Sequence, residues 1–316
     1  MLVIANSELR ITNSELRITN CEFRIYILRA LIKIGGVPEH FNLPWQLALE
    51  KGLFESAGLD VQWTFYAGGT GAMTAALARG ELDIAILLTE GYVSAISQGL
   101  EATVVKTYIE SPLVWGIYTG VNNSLHELNS QKGLKYAVSR FGSGSHLMAM
   151  VHARQRGIRI EESQFQVIQS LHGGVDALMT GKSDVFYWEK FMTRPFVKNG
   201  SLRKIGEFNA PWSGFLIVAS ANAMNEKSKE IKAMLDLMIP ECITFKEDNL
   251  SPIHLSRRFE MTETEAIKWL ENTLWNNNYN LNLKSLENAK IALGSIGFPT
   301  EKINSEHCLA EWLKPI

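Results

Sequence analysis

A chain of 316 residues is long enough for one large or two medium domains. Its 46% hydrophobic and 20% charged residues are ordinary for a soluble globular protein, and a net charge of -2, with Lys and Arg spread along the chain, gives no footprint for nucleic acid or an anionic membrane. Cys21, Cys242 and Cys308 are too scattered for a disulfide framework or a paired-thiol metal knuckle, the histidines show no metal spacing, and no apolar stretch approaches the ~20 residues of a spanning helix.

The chain opens on a repeat. Asn6 to Thr12 (NSELRIT) recurs letter for letter as Asn13 to Thr19, with a decayed copy at Asn20 to Ile25. It reads as a translated tandem repeat forming a disordered tail over 1–31. Arg24, Arg29 and Lys33 interrupt the only candidate for a secretory core, so the expected location is the cytoplasm, or the periplasm if the start is misassigned.

The folded body should begin with a strand over Ile32 to Val37. Pro38 to Trp45 reads as an irregular loop, because prolines disfavour helix just before them, followed by a helix from Trp45 to Phe54 and a strand from Leu59 to Phe65. Then comes the unit Ala76-Leu77-Ala78-Arg79-Gly80-Glu81-Leu82-Asp83-Ile84, repeated later as Ala177-Leu178-Met179-Thr180-Gly181-Lys182-Ser183-Asp184-Val185. In both, a helix face ends at a glycine suited to a left-handed cap, and an Asp precedes a short apolar strand. Paired glycines upstream, Gly68-Gly69 and Gly173-Gly174, are placed where strand hands over to helix. Two such crossover units imply two similar lobes, each with a parallel sheet, facing one another across a cleft.

Between the copies the pattern gives a short helix Tyr92 to Gln98, strands Thr103 to Tyr108, Leu113 to Tyr118 and Lys135 to Val138, and a helix Leu147 to Arg156. After the second copy, Pro211 to Ala219 reads as a strand returning to the first lobe. A helix capped by Asn225 and kinked at Pro240, a Thr262/Glu265 capping box and a last helix through Leu286, Ala289 and Leu293 complete the chain.

The strongest ligand-loop candidate is Ser139 to His146. Glycines Gly142 and Gly144 let backbone amides approach a ligand, Ser143 and Ser145 offer hydroxyls, and Arg140 suits a carboxylate, sulfonate or phosphate. The same stretch also suits a plain turn with Ser145 as helix cap and Arg140 on the surface. Facing it, Gly69 and Thr70 belong to a matching loop, while His40, Phe41, Asn42 and Trp45 occupy the first crevice loop. Thr89, Glu90 and Ser111 end strands of the first lobe; His172, Trp188, Glu189 and His146 come from the second. Glu90 and Glu189 suit a cationic amine or acid/base work, and equally a solvated rim or an ion pair with Arg140. Gly181-Lys182-Ser183 lacks the earlier glycine of a phosphate loop, because position 176 is Asp. There is likewise no nucleophile elbow and no His-Glu-x-x-His, so catalysis has no positive motif behind it.

Lys51-Gly52-Leu53-Phe54, Gly58-Leu59-Asp60-Val61, the glycine loop at 68–71, the first repeat and Trp188-Glu189 together resemble the type 2 periplasmic-binding-protein fold, over roughly Ile32 to Met224. The likeness is to the nitrate, taurine and alkanesulfonate binding family and its thiamine-pyrimidine relatives. The patterns P-E-H-F-N-L-P-W, R-F-G-S-G-S-H and W-E-K-x-x-T-x-P are most similar to a signal-less branch, with Trp188-Glu189-Lys190 where transporter members have W-E-P. The resemblance implies an α/β fold of two lobes, 32–114 plus 216–316 and 115–215, each a mixed, mostly parallel sheet flanked by helices, with a hinge of two crossover segments. It further implies a monomeric solute-binding protein that closes on a sulfonate, carboxylate or pyrimidine-like molecule, without cofactor or metal, with an ABC permease as partner. A thiamine-pyrimidine-synthase-like enzyme and a cytosolic ligand sensor without transporter are the alternatives.

Overall fold

The structure, a computed structural model, describes residues 30–128 and 133–316. The tail expected over 1–31 lies outside the described residues except for its last two, of which Leu31 already opens a strand. The first lobe begins with β1 (Leu31–Gly36), α1 (Leu43–Glu50), α2 (Leu53–Ser56), β2 (Asp60–Phe65), α3 (Gly69–Ala78), β3 (Ile84–Leu88), α4 (Thr89–Ser97) and β4 (Ala102–Ile109). The second holds β5 (Val114–Gly120), β6 (Tyr136–Val138), α5 (Gly144–Gln155), β7 (Phe165–Val167), α6 (Leu171–Met179), β8 (Val185–Glu189), α7 (Arg194–Lys198) and β9 (Leu202–Asn209). The chain then returns through β10 (Phe215–Ser220) and ends with α8 (Ala221–Glu247), α9 (Ser251–Arg258), α10 (Glu263–Asn272), β11 (Asn280–Leu281), α11 (Leu283–Ser295) and β12 (Lys314–Pro315).

The two large sheets have orders β2-β1-β3-β10-β4 and β7-β6-β8-β5-β9, which correspond strand for strand. In each, two ladders are parallel, β1 with β2 and β3, and β6 with β7 and β8. The strand supplied by a crossover, β10 or β5, pairs antiparallel on both sides. The crossovers, 110–113 and 210–214, run side by side: Gly214 N–H donates to Ser111 O and Ala210 N–H to Leu113 O, both at 3.2 Å.

The duplicated unit explains this symmetry at residue level. Gly80 and Gly181 both sit at φ 71°, left-handed as their cap position requires. Asp83 Oδ2 then accepts the Lys33 amide and Asp184 Oδ2 the Lys135 amide, both at 2.8 Å. Each carboxylate thus ties the incoming strand to its neighbour at the end of the sheet opposite the crevice. The apolar runs that follow, Ile84 to Leu87 and Val185 to Tyr187, are buried, each large side chain contributing about 1.5–3 kcal/mol.

Several local expectations change. Pro44 occupies the first turn of α1 rather than excluding it, since a first-turn proline gives up no helical hydrogen bond, and Gly52 at φ 65° splits the expected single helix into α1 and α2. Gly173 and Gly174 lie inside α6; a Cβ on the first would strike the Ile168 carbonyl and on the second the Phe186 ring. The cap of α8 is Ser220, not Asn225, and its break falls at Lys227, whose ammonium pairs with Asp83 at 2.9 Å, not at Pro240. The Thr262/Glu265 capping box forms as expected. Strand β9 and helices α7 and α9 were not foreseen.

Candidate functional site

The crevice ends of both sheets face one cavity of about 350 Å³. The first lobe contributes Val37, Pro38 and Glu39 after β1, Ala67 to Thr70 at the start of α3, Leu88 at the end of β3 and Phe215 at the start of β10. The second contributes Ser139, Arg140 and Ser143 to Ser145 between β6 and α5, Ser170 to His172 at the start of α6, and Trp188 and Glu189 at the end of β8, with Leu113, Trp115 and Met192 beside them.

Local sequence builds each wall. Ser143 caps α5: its Oγ accepts the His146 amide at 3.4 Å and donates to Arg140 O at 2.7 Å. Ser145, expected as the alternative cap, instead accepts the Ser139 amide at 3.0 Å. The first-turn amides of Gly144 and Ser145 have no intrahelical acceptor and point their partial positive charge at the cavity wall. A Cβ on Gly144 would press into the Trp115 ring and Leu88, so only glycine lets α5 approach the other lobe this closely. Arg140 crosses the cleft, donating to the Gly68 carbonyl and lying against Gly71, so the two lobes meet there.

The W-E-K-x-x-T-x-P stretch is a turn that aims a carboxylate. Glu189 Oε2 accepts the amides of Phe191 and Met192, both at 2.8 Å, and the Thr193 hydroxyl donates to Glu189 O at 3.1 Å. Pro195 opens α7, and Lys190 leaves the turn to pair with Glu207 at 2.8 Å. Burial first, then the negative charge of Glu39, pushes the Glu189 carboxyl up to about 8 against the pull of its amide donors and Lys190. Glu39, at the cavity wall, is pushed up to about 7 by burial alone. Trp115 lines the same cavity at 4% exposure, and its indole N–H has no partner.

Of the residues singled out from sequence, Gly69, Thr70, Arg140, Ser143, Gly144, Ser145, His172, Trp188 and Glu189 come together at this cavity. The others do not line it, although His40 Nε2 comes within 3.9 Å of Glu189 Oε2. Trp45 stacks on Phe54 in the core and Phe41 packs against Phe215. Asn42 donates to Val37 O at 2.9 Å, which shapes the loop after β1 instead of reaching a ligand. His40, 1% exposed, is boxed among Phe41, Phe259 and Trp269, and burial pushes its pKa down to about 3. It lines a second cavity of about 520 Å³, which adjoins the first at Pro38, Leu171, His172 and Met192. Gly142 and His146 bond each other at 3.1 Å behind the loop, and His146 packs on Phe165.

Thr89, Glu90 and Ser111 serve the crossovers. Thr89 Oγ1 donates to Ser213 O at 2.5 Å, Trp212 Nε1 donates to Glu90 Oε2 at 2.8 Å, and Ser111 Oγ accepts the Leu274 amide at 3.0 Å. Pairing Glu90 with Glu189 was a register error. Counting from Asp83 and Asp184, Glu189 corresponds to Leu88, and Glu90 lies two residues further on, inside α4. Glu39, Ser170 and Trp115 were missed. The helix-start serine Ser170 carried a usable cap signal, whereas Glu39 and Trp115 reach the cavity only through the packing of the lobes.

Comparison with known proteins supports this architecture. Residues 115–208 match the family model described as Ca3427-like PBP. The Candida albicans CA3427 gene product, which defines a family with the generic periplasmic-binding-protein fold, superposes with a TM-score of 0.82 at 25% identity, over 91% of this chain and 98% of that one. The periplasmic aliphatic sulphonate binding protein SsuA of Escherichia coli gives 0.67 at 16% identity, over 89% and 97%. The alkanesulfonate-binding SsuA of Xanthomonas axonopodis pv. citri, bound to MOPS, gives 0.73 at 14%, over 91% and 99%. No curated protein matches the chain in sequence. Among the described residues no helix is long and apolar enough to cross a membrane. The chain therefore has the two-lobed periplasmic-binding-protein fold, and its second lobe carries the likeness to the Ca3427-like proteins.

Proposed function

We propose that the chain is a solute receptor that captures a small polar molecule by closing the lobes 32–114 plus 216–316 and 115–215 about the two crossovers. The observation that carries this reading is the cavity walled by loops of both lobes at the crevice ends of their sheets. A ligand touching both walls has its full set of contacts only when the lobes are together, so binding shifts the population toward closure. The cavity, about 350 Å³, lies within the usual range of about 300–1,000 Å³ for small-molecule sites. Aromatic and aliphatic side chains supply its body, with serine hydroxyls and helix amides at its polar ends.

Binding fits this lining better than catalysis. Among the described residues, the cavity's Ser143 and Ser145 hydroxyls bond each other at 3.0 Å rather than a histidine base. The sulfonate-binding neighbours make an ABC permease the natural partner of a monomeric receptor, with a sulfonate, carboxylate or pyrimidine-like solute as cargo. The test is native mass spectrometry of the purified protein followed by a thermal-shift screen of those three solute classes, with small-angle scattering on each hit. A binding solute should contract the molecule, and Gly144→Trp, which fills the space between α5 and Leu88, should abolish both responses. Stabilisation without contraction, or binding untouched by Gly144→Trp, overturns the assignment.

A further inference from the structure

We infer that the cleft recognises its ligand through a cationic nitrogen, an amine, amidine or protonated amino-heterocycle, seated between the carboxylates of Glu39 and Glu189. This rests on the receptor reading and names the chemistry that the site selects. Glu189 is 4% exposed, and its Oε2 is held by the Phe191 and Met192 amides. Among the described residues its Oε1 has no hydrogen-bond donor, and the residue lines the cavity. Among the described residues the Glu39 carboxylate, on the facing lobe, makes neither a hydrogen bond nor an ion pair. The guanidinium in the lining, Arg140, is engaged by the Gly68 carbonyl and makes no ion pair with either glutamate. The imidazole of His40 brings its Nε2 to 3.9 Å from Glu189 Oε2, but burial pushes its pKa down to about 3, so among the described residues the lining sets two carboxyls against the one guanidinium of Arg140.

The rest of the lining suits such a ligand. Trp115, Trp188 and Phe215 put aromatic rings in the lining, and aromatic surface attracts a cation. Trp115, whose buried indole N–H has no partner among the described residues, belongs to the same lining. Burial holds both carboxyls above their ordinary range, and for Glu189 the charge of Glu39 adds to it, so a cation beside them favours their ionised forms.

Benzamidine, benzamide and benzenesulfonate share one ring and differ in charge, so calorimetric titration of the full chain with the three reads the charge preference directly. Benzamidine should bind at least about tenfold more tightly than the other two, and Glu189→Gln, which keeps an acceptor for the turn amides, should remove that margin. Glu39→Gln, outside the turn, should weaken benzamidine by a similar factor and guards against a folding defect in the first variant. Equal or tighter binding of benzamide or benzenesulfonate, no benzamidine binding, or benzamidine affinity unchanged in both variants overturns the inference. Contraction of the molecule by benzenesulfonate alone would sink it while leaving the receptor reading intact.

Discussion

Glu39 and Glu189 at the crevice and Glu90 beside the crossovers concentrate the cost of buried carboxyls. Their carboxyls are raised to about 7, about 8 and about 7, burial being the first cause in each. Over the range between the ordinary carboxylate value and these, the folded state keeps protons that the unfolded chain has lost, so stability falls as pH rises. The buried His40, His146 and His152, pushed down to about 3, 4 and 4, act oppositely and lower stability as pH falls below 6.5. Lys106, lowered by burial to about 8, contributes only above that. Between pH 6.5 and 8 the carboxyls therefore dominate. The ligand-free protein should lose stability across this window in urea denaturation, and Glu189→Gln should flatten the slope. A profile that rises, or a variant with the parent's slope, contradicts the assignment.

At the scale of elements, the repeated Asp is the clearest case of one residue type fixing one connection twice. Asp184 accepts the Lys135 amide and, at 3.1 Å, the Asn123 side chain. Asp83 accepts the Lys33 amide and carries the Lys227 ammonium, which also donates to Leu31 O. Asp184→Ala should cost about 1–3 kcal/mol for lost charge-assisted hydrogen bonds. Asp83→Ala should cost more, because it also strands a half-buried ammonium whose ion pair is lost. Both lie at the end of the sheets away from the cavity, so ligand affinity should be unchanged in each. Chemical denaturation beside calorimetry checks this; equal costs, or a loss of binding, would contradict the roles given to the two carboxylates.

For the whole molecule, Arg140 and Glu265 are two of the side chains that join the lobes. Arg140 reaches Gly68 across the crevice, and Glu265 at the start of α10 pairs with Arg194 at 2.7 Å and Lys198 at 2.6 Å on α7. Glu265 also completes the capping box by accepting the Thr262 amide at 2.9 Å, so one side chain both starts a helix and bridges the lobes. Because the two cations are partly exposed, each pair should contribute about 0.2–1 kcal/mol. Glu265→Gln keeps an acceptor for the cap and drops both ion pairs. It should enlarge the ligand-free radius of gyration with little change in melting temperature, and high salt should reproduce the effect in the parent protein. An unaltered radius would remove Glu265 from the closing apparatus.

What the chain determined alone is what local physics fixes. The left-handed glycine caps, the buried strand after each Asp and the Thr262/Glu265 box follow from backbone sterics and local hydrogen bonding. The repeat of that grammar gave two lobes and a cleft, and the glycine-serine loop gave half of its lining. Tertiary structure decided the rest, because which side of a loop meets a partner depends on lobe packing that no spacing encodes. It turned Thr89, Glu90 and Ser111 toward the crossovers, buried His40 among aromatic rings, and brought Glu39 opposite Glu189 from a position 150 residues away in sequence.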